Sequence, residues 1–600
     1  MKHRRLLNAG ILLVVIIIAA VFAVNDTSRS TSFYGDALGY YMYLPATFIY
    51  HNLETIDELP KDKGIDDGVL WYAKHVRDQP TPTGKALDQY TYGVALMESP
   101  FFFAAHAYAK TTGAAASGYS KTYDYLVKFS SFFYALLGLI LVYKILKRYF
   151  TNTLALSGVA IIFLGTNLFW FSIYQAGMSH VPLFFLYSLL LYLVIKVHDH
   201  PKTFLFVSIG LVCGIITLIR PTDILCALIP LLYNVYNKAT ISKKVLFLRQ
   251  NILNICTFTI AAILPIAPQL IYWKAITGSY FYYSYGSQGF NWLHPKIIEG
   301  LFYFSNGWFP YSPVMIFSVL GLLLYGSFKK WALSIWVILP LYIYIIYSWY
   351  CYNYINGLGS RPMIHLYPLL ALPLTAFIQF ISKQRLFIKT SLAIICLFFI
   401  ALNISYSMQE SKGILVSPVS NIKYNMQMAF RMHLRYNDLV VKDIWAWQPD
   451  ANSVTKLSTL ACKNYSDSIP GGNNPFHTAD SIHEVLSIPY NKETFKNAKW
   501  FKCSGRFMYR QAPGYYRHLL VLSSGNKLWR GCTIENKIGD WKTSGEDIRL
   551  DHFETNKWGY MYYYVKIPKT LHDGDTVKLS ILNPDKLDLY MDDVCLELYR

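Results

Sequence analysis

Long apolar segments dominate this chain and decide what it can fold into. A helix needs about 20 mostly apolar residues to cross the hydrocarbon core of a membrane. Apolar residues make up 54% of the 600 positions, far more than in a soluble globular protein. Eleven segments qualify as spans: 8–24, 122–143, 152–172, 179–197, 203–219, 222–237, 249–273, 310–327, 331–349, 362–381 and 386–406. The sequence therefore predicts a polytopic α-helical membrane protein with about 11 transmembrane helices.

Two of these segments leave an alternative open. Segments 203–219 and 222–237 are short, and Arg220-Pro221 separates them. They form either one bent element or two separate spans. The distribution of basic residues in the neighbouring loops favours two.

Basic residues gather in alternate loops and predict the orientation. Six short segments hold Lys2, Arg4 and Arg5; Lys144, Lys147 and Arg148; Lys196 and Lys202; Lys238, Lys243, Lys244 and Arg249; Lys329 and Lys330; Lys383, Arg385 and Lys389. The opposite short loops are nearly free of Lys and Arg, apart from Arg220 and Arg361. Because Lys and Arg collect in cytoplasmic loops, the amino terminus is predicted to be cytoplasmic and the carboxyl terminus exoplasmic. This bias explains the net charge of +19 without a nucleic-acid partner.

A long exoplasmic segment is predicted between the first two spans, at 25–121. Within it, residues 94–109 are apolar but include Glu98. Counting them as a span would place the basic loop with Lys144, Lys147 and Arg148 on the exoplasmic side. An interfacial helix on the outer leaflet fits better. The first apolar segment could also be read as a signal peptide, but no convincing cleavage site follows it. In either case Asp36 lies outside.

The carboxyl-terminal part changes character at about residue 408. Short alternating stretches with turn signals replace the apolar runs, including 517–522, 558–567, 576–582 and 588–599. Such spacing predicts a β-sandwich. We therefore expect a transmembrane domain at 1–407, a connector at 408–445 and an exoplasmic sandwich at 446–600. Four cysteines of this domain, Cys462, Cys503, Cys532 and Cys595, allow three pairings, and the sequence selects none of them.

Ionisable side chains near spans usually mark a functional site or a water-filled cavity. On the exoplasmic side they are Asp36, Glu98, His106, His180, Arg220, Asp223, Lys274, Arg361 and His365. Arg220 and Arg361 suit a phosphate, which guanidinium groups bind bidentately; Arg220 could instead snorkel to the headgroups. Asp223 could pair with Arg220 or cap the next helix. The aromatic loop 274–309 either stacks on sugars or forms an interfacial belt.

Several short motifs lie on the exoplasmic face in a fixed order. They are Gly35-Asp36 with Tyr40-Tyr41, Tyr92-Gly93, Gly165-Thr166-Asn167, Met178-Ser179-His180, Arg220-Pro221-Thr222, Tyr283-Ser284-Tyr285-Gly286 and Gly357–Arg361. Together they resemble the bacterial multi-spanning glycosyltransferases of the GT-C superfamily, near the dolichyl-phosphate-mannose protein mannosyltransferase-like group (glycosyltransferase family 39-like). The resemblance covers roughly residues 8–406. The carboxyl-terminal domain resembles a carbohydrate-binding jelly roll.

The resemblance implies an inverting glycosyltransferase in the bacterial inner membrane that transfers a sugar from a polyprenyl-phosphate donor to an acceptor at the periplasmic face. Asp36 maps to the expected catalytic base. Arg220, Arg361 and His180 are the expected ligands of the donor phosphate. The substrate-binding residues implied are Tyr40, Tyr92, Glu98, Tyr283 and Tyr285.

The sequence departs from many relatives at Asp36, which Ala37-Leu38 follow, so no paired acidic motif is present. No metal or other cofactor is therefore expected, and Asp36 is predicted to act as a base. The partners expected are the lipid-linked donor, membrane lipid and a glycan, lipid or protein acceptor. Two other classes of protein stay open at this point: a transporter or flippase of lipid-linked glycans, and a non-catalytic glycan-binding protein of envelope assembly.

Overall fold

The structure is a computed structural model of the chain. It describes residues 32–60, 65–75, 81–286, 288–355, 357–433, 449, 453–464, 482–509, 519–524, 527–529, 548–549, 556–567, 571–582 and 589–600. The chain forms two compact units, Met1–Pro418 and Val419–Arg600, and this division falls inside the predicted connector 408–445. The predicted first span, 8–24, lies outside the described residues.

The first unit is built from helices. Its α-helices are Gly35–Pro45, Asp67–His75, Gly93–Thr112, Lys121–Leu146, Asn152–Leu164, Leu168–Ile173, His180–Asp199, Thr203–Ile219, Leu228–Leu232, Lys238–Gln250, Ile252–Ile263, Ala267–Thr277, Ile297–Phe302, Trp308–Tyr311, Met315–Gly321, Lys329–Ser348, Tyr367–Ser382 and Leu386–Ser411. Short 3-10 helices at Leu53–Thr55, Pro221–Ala227, Leu322–Phe328 and Arg361–Leu366, and a π-helix at Ala46–Tyr50, join them.

Six helical segments among the described residues are long and apolar enough to cross a membrane. They are Lys121–Leu146, His180–Asp199, Ile252–Thr277, Met315–Ser348, Arg361–Ser382 and Leu386–Ser411. Three shorter apolar helical segments, Asn152–Leu164, Thr203–Ile219 and Pro221–Leu232, accompany them. The predicted polytopic helical fold is confirmed, whereas the number eleven stays a prediction.

The predicted span 152–172 is interrupted at the Gly165-Thr166-Asn167 motif. Its first helix ends at Leu164, and a short helix, Leu168–Ile173, follows the turn. A side chain at Gly165 would place its Cβ 2.8 Å from the Ile161 carbonyl oxygen and 2.9 Å from Val314, so only glycine fits this close approach. The turn places Asn167 at the site described below.

The segments 203–219 and 222–237 contain separate helical elements, and their prediction as two spans stays a prediction. The first forms the helix Thr203–Ile219, and Arg220 then has an extended backbone. Pro221 begins a 3-10 helix that continues into a short α-helix ending at Leu232. Proline lacks the N–H that would continue the helix, which accounts for the break.

The amphipathic segment predicted at the outer interface forms the helix Gly93–Thr112. A Cβ at Gly93 would lie 2.8 Å from the side chain of Ile219, so the start of this helix packs closely against the end of Thr203–Ile219. This packing joins the segment that contains Asp36 to the helix that ends just before Arg220.

The second unit has nine described strands: β1 Lys456–Lys463, β2 Ile482–Pro489, β3 Trp500–Tyr509, β4 Leu519–Ser524, β5 Lys527–Trp529, β6 Ile548–Arg549, β7 Gly559–Lys566, β8 Thr576–Leu582 and β9 Leu589–Tyr599. Two short helices, Ile422–Met428 and Lys492–Phe495, accompany them. One sheet has the order β1-β9-β3-β7; the other has the order β2-β8-β4-β5, with β6 beside β4. All described strand pairs are antiparallel.

The two sheets share one apolar core. Phe501 and Leu596 of the first sheet join Val577 and Leu579 of the second in the same buried cluster, and all four are at most 1% exposed. This arrangement confirms the predicted sandwich. Its proposed carbohydrate-binding role stays a prediction.

The structure selects one cysteine pairing. Cys462 of β1 lies opposite Cys595 of β9, and the two form a disulfide. Cys503 of β3 is buried. Cys532 lies outside the described residues.

Candidate functional site

Asp36 lies in the first turn of the helix Gly35–Pro45, where the helix dipole favours a negative charge. The Tyr90 hydroxyl donates to Oδ1 of Asp36 at 2.8 Å. Nη2 of Arg361 lies 2.8 Å from Oδ2, forming an ion pair in which the Asp36 side chain stays 23% exposed. The carboxylate is thus held by two partners and still accessible.

Tyr90 is fixed at three points. Its backbone N–H donates to Oδ1 of Asp88 at 2.9 Å, and its carbonyl oxygen accepts from the Tyr43 hydroxyl at 2.7 Å. Burial raises the pKa of Tyr90 well above its usual value, and the neighbouring Asp36 raises it further. The hydroxyl therefore stays protonated and donates to Asp36. Tyr90 is a site residue that the sequence reasoning missed; it stands two positions before the Tyr92-Gly93 motif.

The loop Gly357–Ser360 places Arg361. The Gly359 N–H donates to Oδ1 of Asn306 at 2.9 Å, and Nδ2 of Asn167 donates to the Leu358 carbonyl at 3.0 Å. The Tyr347 hydroxyl lies 2.8 Å from Oγ of Ser360. Two motifs far apart in sequence, Gly165-Thr166-Asn167 and Gly357–Arg361, therefore meet here.

Arg361 keeps unused hydrogen-bonding capacity. Arg361 is 8% exposed, and its Nη2 pairs with Asp36. Nε and Nη1 are buried and make no hydrogen bond to a described residue. Buried donors without partners are costly, which is the situation expected where an anionic ligand completes the site.

Arg220 and Arg361 meet at one aromatic ring. Their guanidinium carbons lie 5.6 Å and 5.7 Å from the centre of the Tyr354 ring. Tyr354 has a left-handed backbone, with φ of 44°, and its hydroxyl donates to the Ile346 carbonyl at 2.8 Å. A non-glycine residue in this region carries strain, which clusters at functional sites. The structure thus brings together the two cations predicted to bind phosphate.

His180 begins the helix His180–Asp199 and is 1% exposed. Its Nδ1 lies 3.0 Å from Nε2 of His365. Nδ1 of His365 lies 2.8 Å from Oδ2 of Asp223. Asp223 thus has His365 as its close partner rather than Arg220, and its side chain caps no helix.

Aromatic side chains line the approach to Asp36. The ring of Tyr40 lies 4.6 Å from that of Tyr90, and the ring of Tyr285 lies 6.1 Å from it. Trp349 follows at 5.7 Å from Tyr285. Burial raises the pKa of Tyr40, and Asp36 adds to the rise, so this hydroxyl is also a neutral donor. Rings of this kind stack on the apolar faces of sugars.

Three predicted substrate-binding residues lie outside these contacts. The Tyr92 hydroxyl donates to the Pro265 carbonyl at 2.5 Å, which fixes the interfacial helix to a neighbouring span. Glu98 is 1% exposed within that helix, and burial raises its pKa well above the usual value. Tyr283 is exposed, and its hydroxyl donates to the Gln288 carbonyl at 2.6 Å. The Tyr283 ring lies 6.2 Å from that of Tyr285, which is one of the aromatic side chains near Asp36.

Within the described part of the chain, no group of three or more His, Cys, Asp or Glu side chains is placed to hold a metal ion. The expected independence of metal stays a prediction.

Residues 124–272 match the family model described as dolichyl-phosphate-mannose-protein mannosyltransferase. This match confirms the predicted resemblance and supports a membrane glycosyltransferase of the GT-C type in general. It includes His180 and Arg220 and ends before Arg361.

Among solved structures, this chain is similar to the cryo-EM structure of the arabinosyltransferase EmbB from Mycobacterium smegmatis. The similarity covers 98% of this chain and 64% of that chain, at 10% sequence identity and a TM-score of 0.31. This chain thus spans 64% of the length of the arabinosyltransferase. No curated protein sequence matches this chain.

Proposed function

We propose that this protein is an integral-membrane glycosyltransferase that moves a sugar from a polyprenyl-phosphate donor to an acceptor at the outer face of the membrane. The observation that carries the proposal is the pairing of Asp36 with Arg361, whose Nε and Nη1 have no partner among the described residues. A base for the acceptor and a cation for the leaving phosphate thereby lie side by side.

In the proposed reaction, Asp36 accepts the proton of the acceptor hydroxyl. The hydroxyl oxygen forms a bond to the anomeric carbon of the sugar as the bond from that carbon to the donor phosphate oxygen breaks. The phosphate oxygen keeps the electron pair of the broken bond. A base must lie within hydrogen-bond reach of the proton that it removes, and Asp36 has the exposure that this contact needs.

The leaving group gains negative charge as the bond to the sugar breaks. Arg361 and Arg220 are permanently charged, and both lie against the Tyr354 ring. Fixed cations next to a developing charge stabilise the transition state because they need no rearrangement during the reaction. We assign the donor phosphate to these two residues and to His180, and the sugar to the aromatic wall of Tyr40, Tyr90 and Tyr285.

The rival function is transport of the same lipid-linked sugar. A flippase needs cations for the phosphate but has no use for a carboxylate positioned as a base. The contacts of Asp36 with both Tyr90 and Arg361 favour the enzyme.

The Asp36→Asn variant tests the proposal. The amide cannot take up a proton but has nearly the same shape, so we expect turnover to fall by about 10²–10⁴-fold while donor binding persists. Cells lacking the protein are complemented with the parent or the variant, and their lipid-linked sugars and envelope glycans are analysed by mass spectrometry. The donor should accumulate with Asp36→Asn as it does without the protein.

Glu58→Gln is the matched control, because Glu58 is an exposed carboxylate of the same exoplasmic segment. It should restore the glycans as the parent does. Undiminished sugar transfer by Asp36→Asn would overturn the assignment of the base, and a transporter would tolerate that change.

A further inference from the structure

The helix Lys238–Gln250 takes no part in the proposed reaction, and it leads directly into a span. Its start is capped: Oδ1 of Asn237 accepts from the Thr240 N–H, and the Thr240 hydroxyl oxygen accepts from the Asn237 N–H, each at 2.9 Å. The helix ends at Gln250, and the candidate span Ile252–Thr277 begins two residues further on. Its last turn therefore lies close to the hydrocarbon core of the membrane.

The helix lies along the membrane boundary, because its start and its middle also contact the ends of long apolar helices. Just before the helix, the centre of the Tyr236 ring lies 5.2 Å from Nζ of Lys329, the first residue of a long apolar helix. In the middle, Nζ of Lys244 lies 2.6 Å from Nε2 of His198, in the last turn of another such helix. A helix that pointed away from the membrane would meet these ends at one point only.

One face of the helix packs against the protein. Thr240, Lys244 and Phe247 are three or four residues apart and therefore share a side of the helix. Thr240 and Lys244 are buried, and Nζ of Lys244 donates to the Pro230 carbonyl at 3.0 Å. The Phe247 ring stacks on the His198 ring at 4.7 Å. This packed face determines which side chains of the helix point outward.

A row of exposed side chains lies on another side of the helix. Lys238, Ile241, Val245 and Arg249 follow one another three or four residues apart, so each neighbours the next on the helix surface. Ile241 is 50% exposed and Val245 is 43% exposed. We name these four residues the exposed row. Two apolar side chains with a cation at each end are typical of a helix that lies in the interface of a membrane.

The positive charge of the exposed row is not balanced by acids nearby in the sequence, which has no Asp or Glu between residues 224 and 298. Next to His198, Asp199 already has a cationic partner, since its Oδ2 lies 2.8 Å from Nη2 of Arg148. Lys238 and Arg249 therefore attract anions at the level of the lipid headgroups.

We propose that the exposed row binds phospholipids with anionic headgroups. Lys238 and Arg249 attract the phosphate groups, and Ile241 and Val245 contact the adjoining part of the acyl chains. Each cation near an anionic membrane surface strengthens binding about fivefold. The inference is independent of the proposed function, because the exposed row lies on a different helix from Asp36 and takes no part in sugar transfer.

The position of the exposed row favours lipid over a protein partner. In the span that follows, Leu253 is 79% exposed and Ile260 is 69% exposed. In a membrane these side chains face acyl chains, and headgroups lie next to the end of the span. Because Arg249 precedes Leu253 by about one helical turn, its guanidinium group lies at headgroup level.

Lipid on the exposed row also stabilises the fold. The packed face joins the helix to His198 and to Pro230, which belongs to the segment Pro221–Leu232 that follows Arg220. A lipid held on the outward side keeps the helix against both contacts. Because a ligand that binds only the folded protein raises its Tm, anionic lipid should raise the Tm of the full chain more than neutral lipid does.

Photo-crosslinking tests the exposed row directly. The full-length protein is reconstituted in phosphatidylcholine vesicles that contain a trace of phosphatidylglycerol or phosphatidylcholine with the same photoreactive acyl chain. Mass spectrometry of chymotryptic peptides measures the crosslinks to residues 238–252. In the parent we expect phosphatidylglycerol to exceed phosphatidylcholine roughly 25-fold, from two cations at about fivefold each. The double variant Lys238→Gln/Arg249→Gln should lower this ratio to about one.

The double variant Lys383→Gln/Arg385→Gln is the matched control. Both side chains are exposed, and the variant removes the same charge from the short turn between the spans Arg361–Ser382 and Leu386–Ser411. Only Gln384 separates these two cations, so no apolar side chain lies between them. The control should keep the parent ratio at residues 238–252. Thermal melting of each purified protein checks that it is folded.

Each outcome decides the proposal. Loss of the ratio in Lys238→Gln/Arg249→Gln alone supports it. If the parent crosslinks both lipids equally at residues 238–252, the exposed row does not select anionic lipid. If the row variant keeps the ratio, or the control loses it equally, the lipid responds to overall charge and the exposed row is not its site. Sugar transfer is not measured here, so failure of this proposal leaves the proposed function standing.

Discussion

Asp36 uses its two carboxylate oxygens for two different partners, Tyr90 and Arg361. Their roles differ. Arg361 is an ion-pair partner that also has nitrogens free for an anion, whereas Tyr90 is a neutral donor fixed by Asp88 and Tyr43. Tyr90 therefore sets the direction of the carboxylate without adding charge to the site.

Tyr90→Phe tests this directional role. The change removes one hydrogen bond and keeps the ring that packs against Tyr40. We expect a stability loss of about 1.5–3 kcal/mol, because the lost hydrogen bond has a charged acceptor. We also expect a roughly tenfold lower kcat, because the carboxylate can rotate about its remaining partner. Thermal melting and steady-state kinetics with the parent donor measure the two effects. Equal kcat for Tyr90→Phe and the parent would show that Arg361 alone orients Asp36.

At the scale of elements, irregular segments carry the site. The long helices follow closely from the apolar runs; the segment predicted at 203–219 is the helix Thr203–Ile219. The site residues instead lie at the ends of helices and in the segments that join them. These places are the turn after Leu164, the break at Arg220 and the loop before the 3-10 helix that begins at Arg361. Apolar periodicity does not specify these places, because their geometry depends on what packs against them.

Gly359→Ala tests the loop before Arg361. Gly359 has φ of 66°, and an added Cβ would lie 2.7 Å from Cβ of Tyr311. We expect a stability loss of about 2–4 kcal/mol, from backbone strain plus crowding, and a loss of kcat greater than about tenfold because Arg361 moves. Gly113→Ala is the matched control, since Gly113 has φ of 71° and open space around the added Cβ.

The control isolates the crowding. Gly113→Ala carries only the cost of a left-handed alanine, about 1–2 kcal/mol, and should keep the parent kcat. Thermal melting and kinetics are measured on both variants. If Gly359→Ala behaves like Gly113→Ala in both measurements, the close packing of the loop does not position Arg361.

At the scale of the whole molecule, the decisive property is orientation. The distribution of Lys and Arg predicts that the loops carrying Asp36, Arg220 and Arg361 lie on the exoplasmic side. The disulfide Cys462–Cys595 in the second unit agrees with an oxidising compartment. The proposed use of a lipid-linked donor at the outer face therefore requires this predicted orientation.

Alkaline phosphatase fusions test the orientation, because this reporter is active only outside the cytoplasm. A fusion after Arg600 should be active and a fusion after Lys330 inactive. On a denaturing gel, the first fusion protein should migrate faster without reductant than with it. A Cys462→Ser variant of this fusion should reduce the difference, because it lacks the Cys462–Cys595 disulfide. The opposite pattern of activity would reverse the orientation and move the proposed site to the cytoplasmic face.

The sequence by itself determined the helical membrane unit and the sandwich, and it predicts that Asp36 lies in an exoplasmic segment. These properties follow from the partitioning of apolar segments between water and lipid and from local periodicity. Both depend on residues that are consecutive in the sequence. The tertiary structure alone decided that Asp36 meets Tyr90 and Arg361, and that Asp223, His365 and His180 form one row. Those contacts join residues that are up to hundreds of positions apart, and only the packing of whole helices fixes their distances.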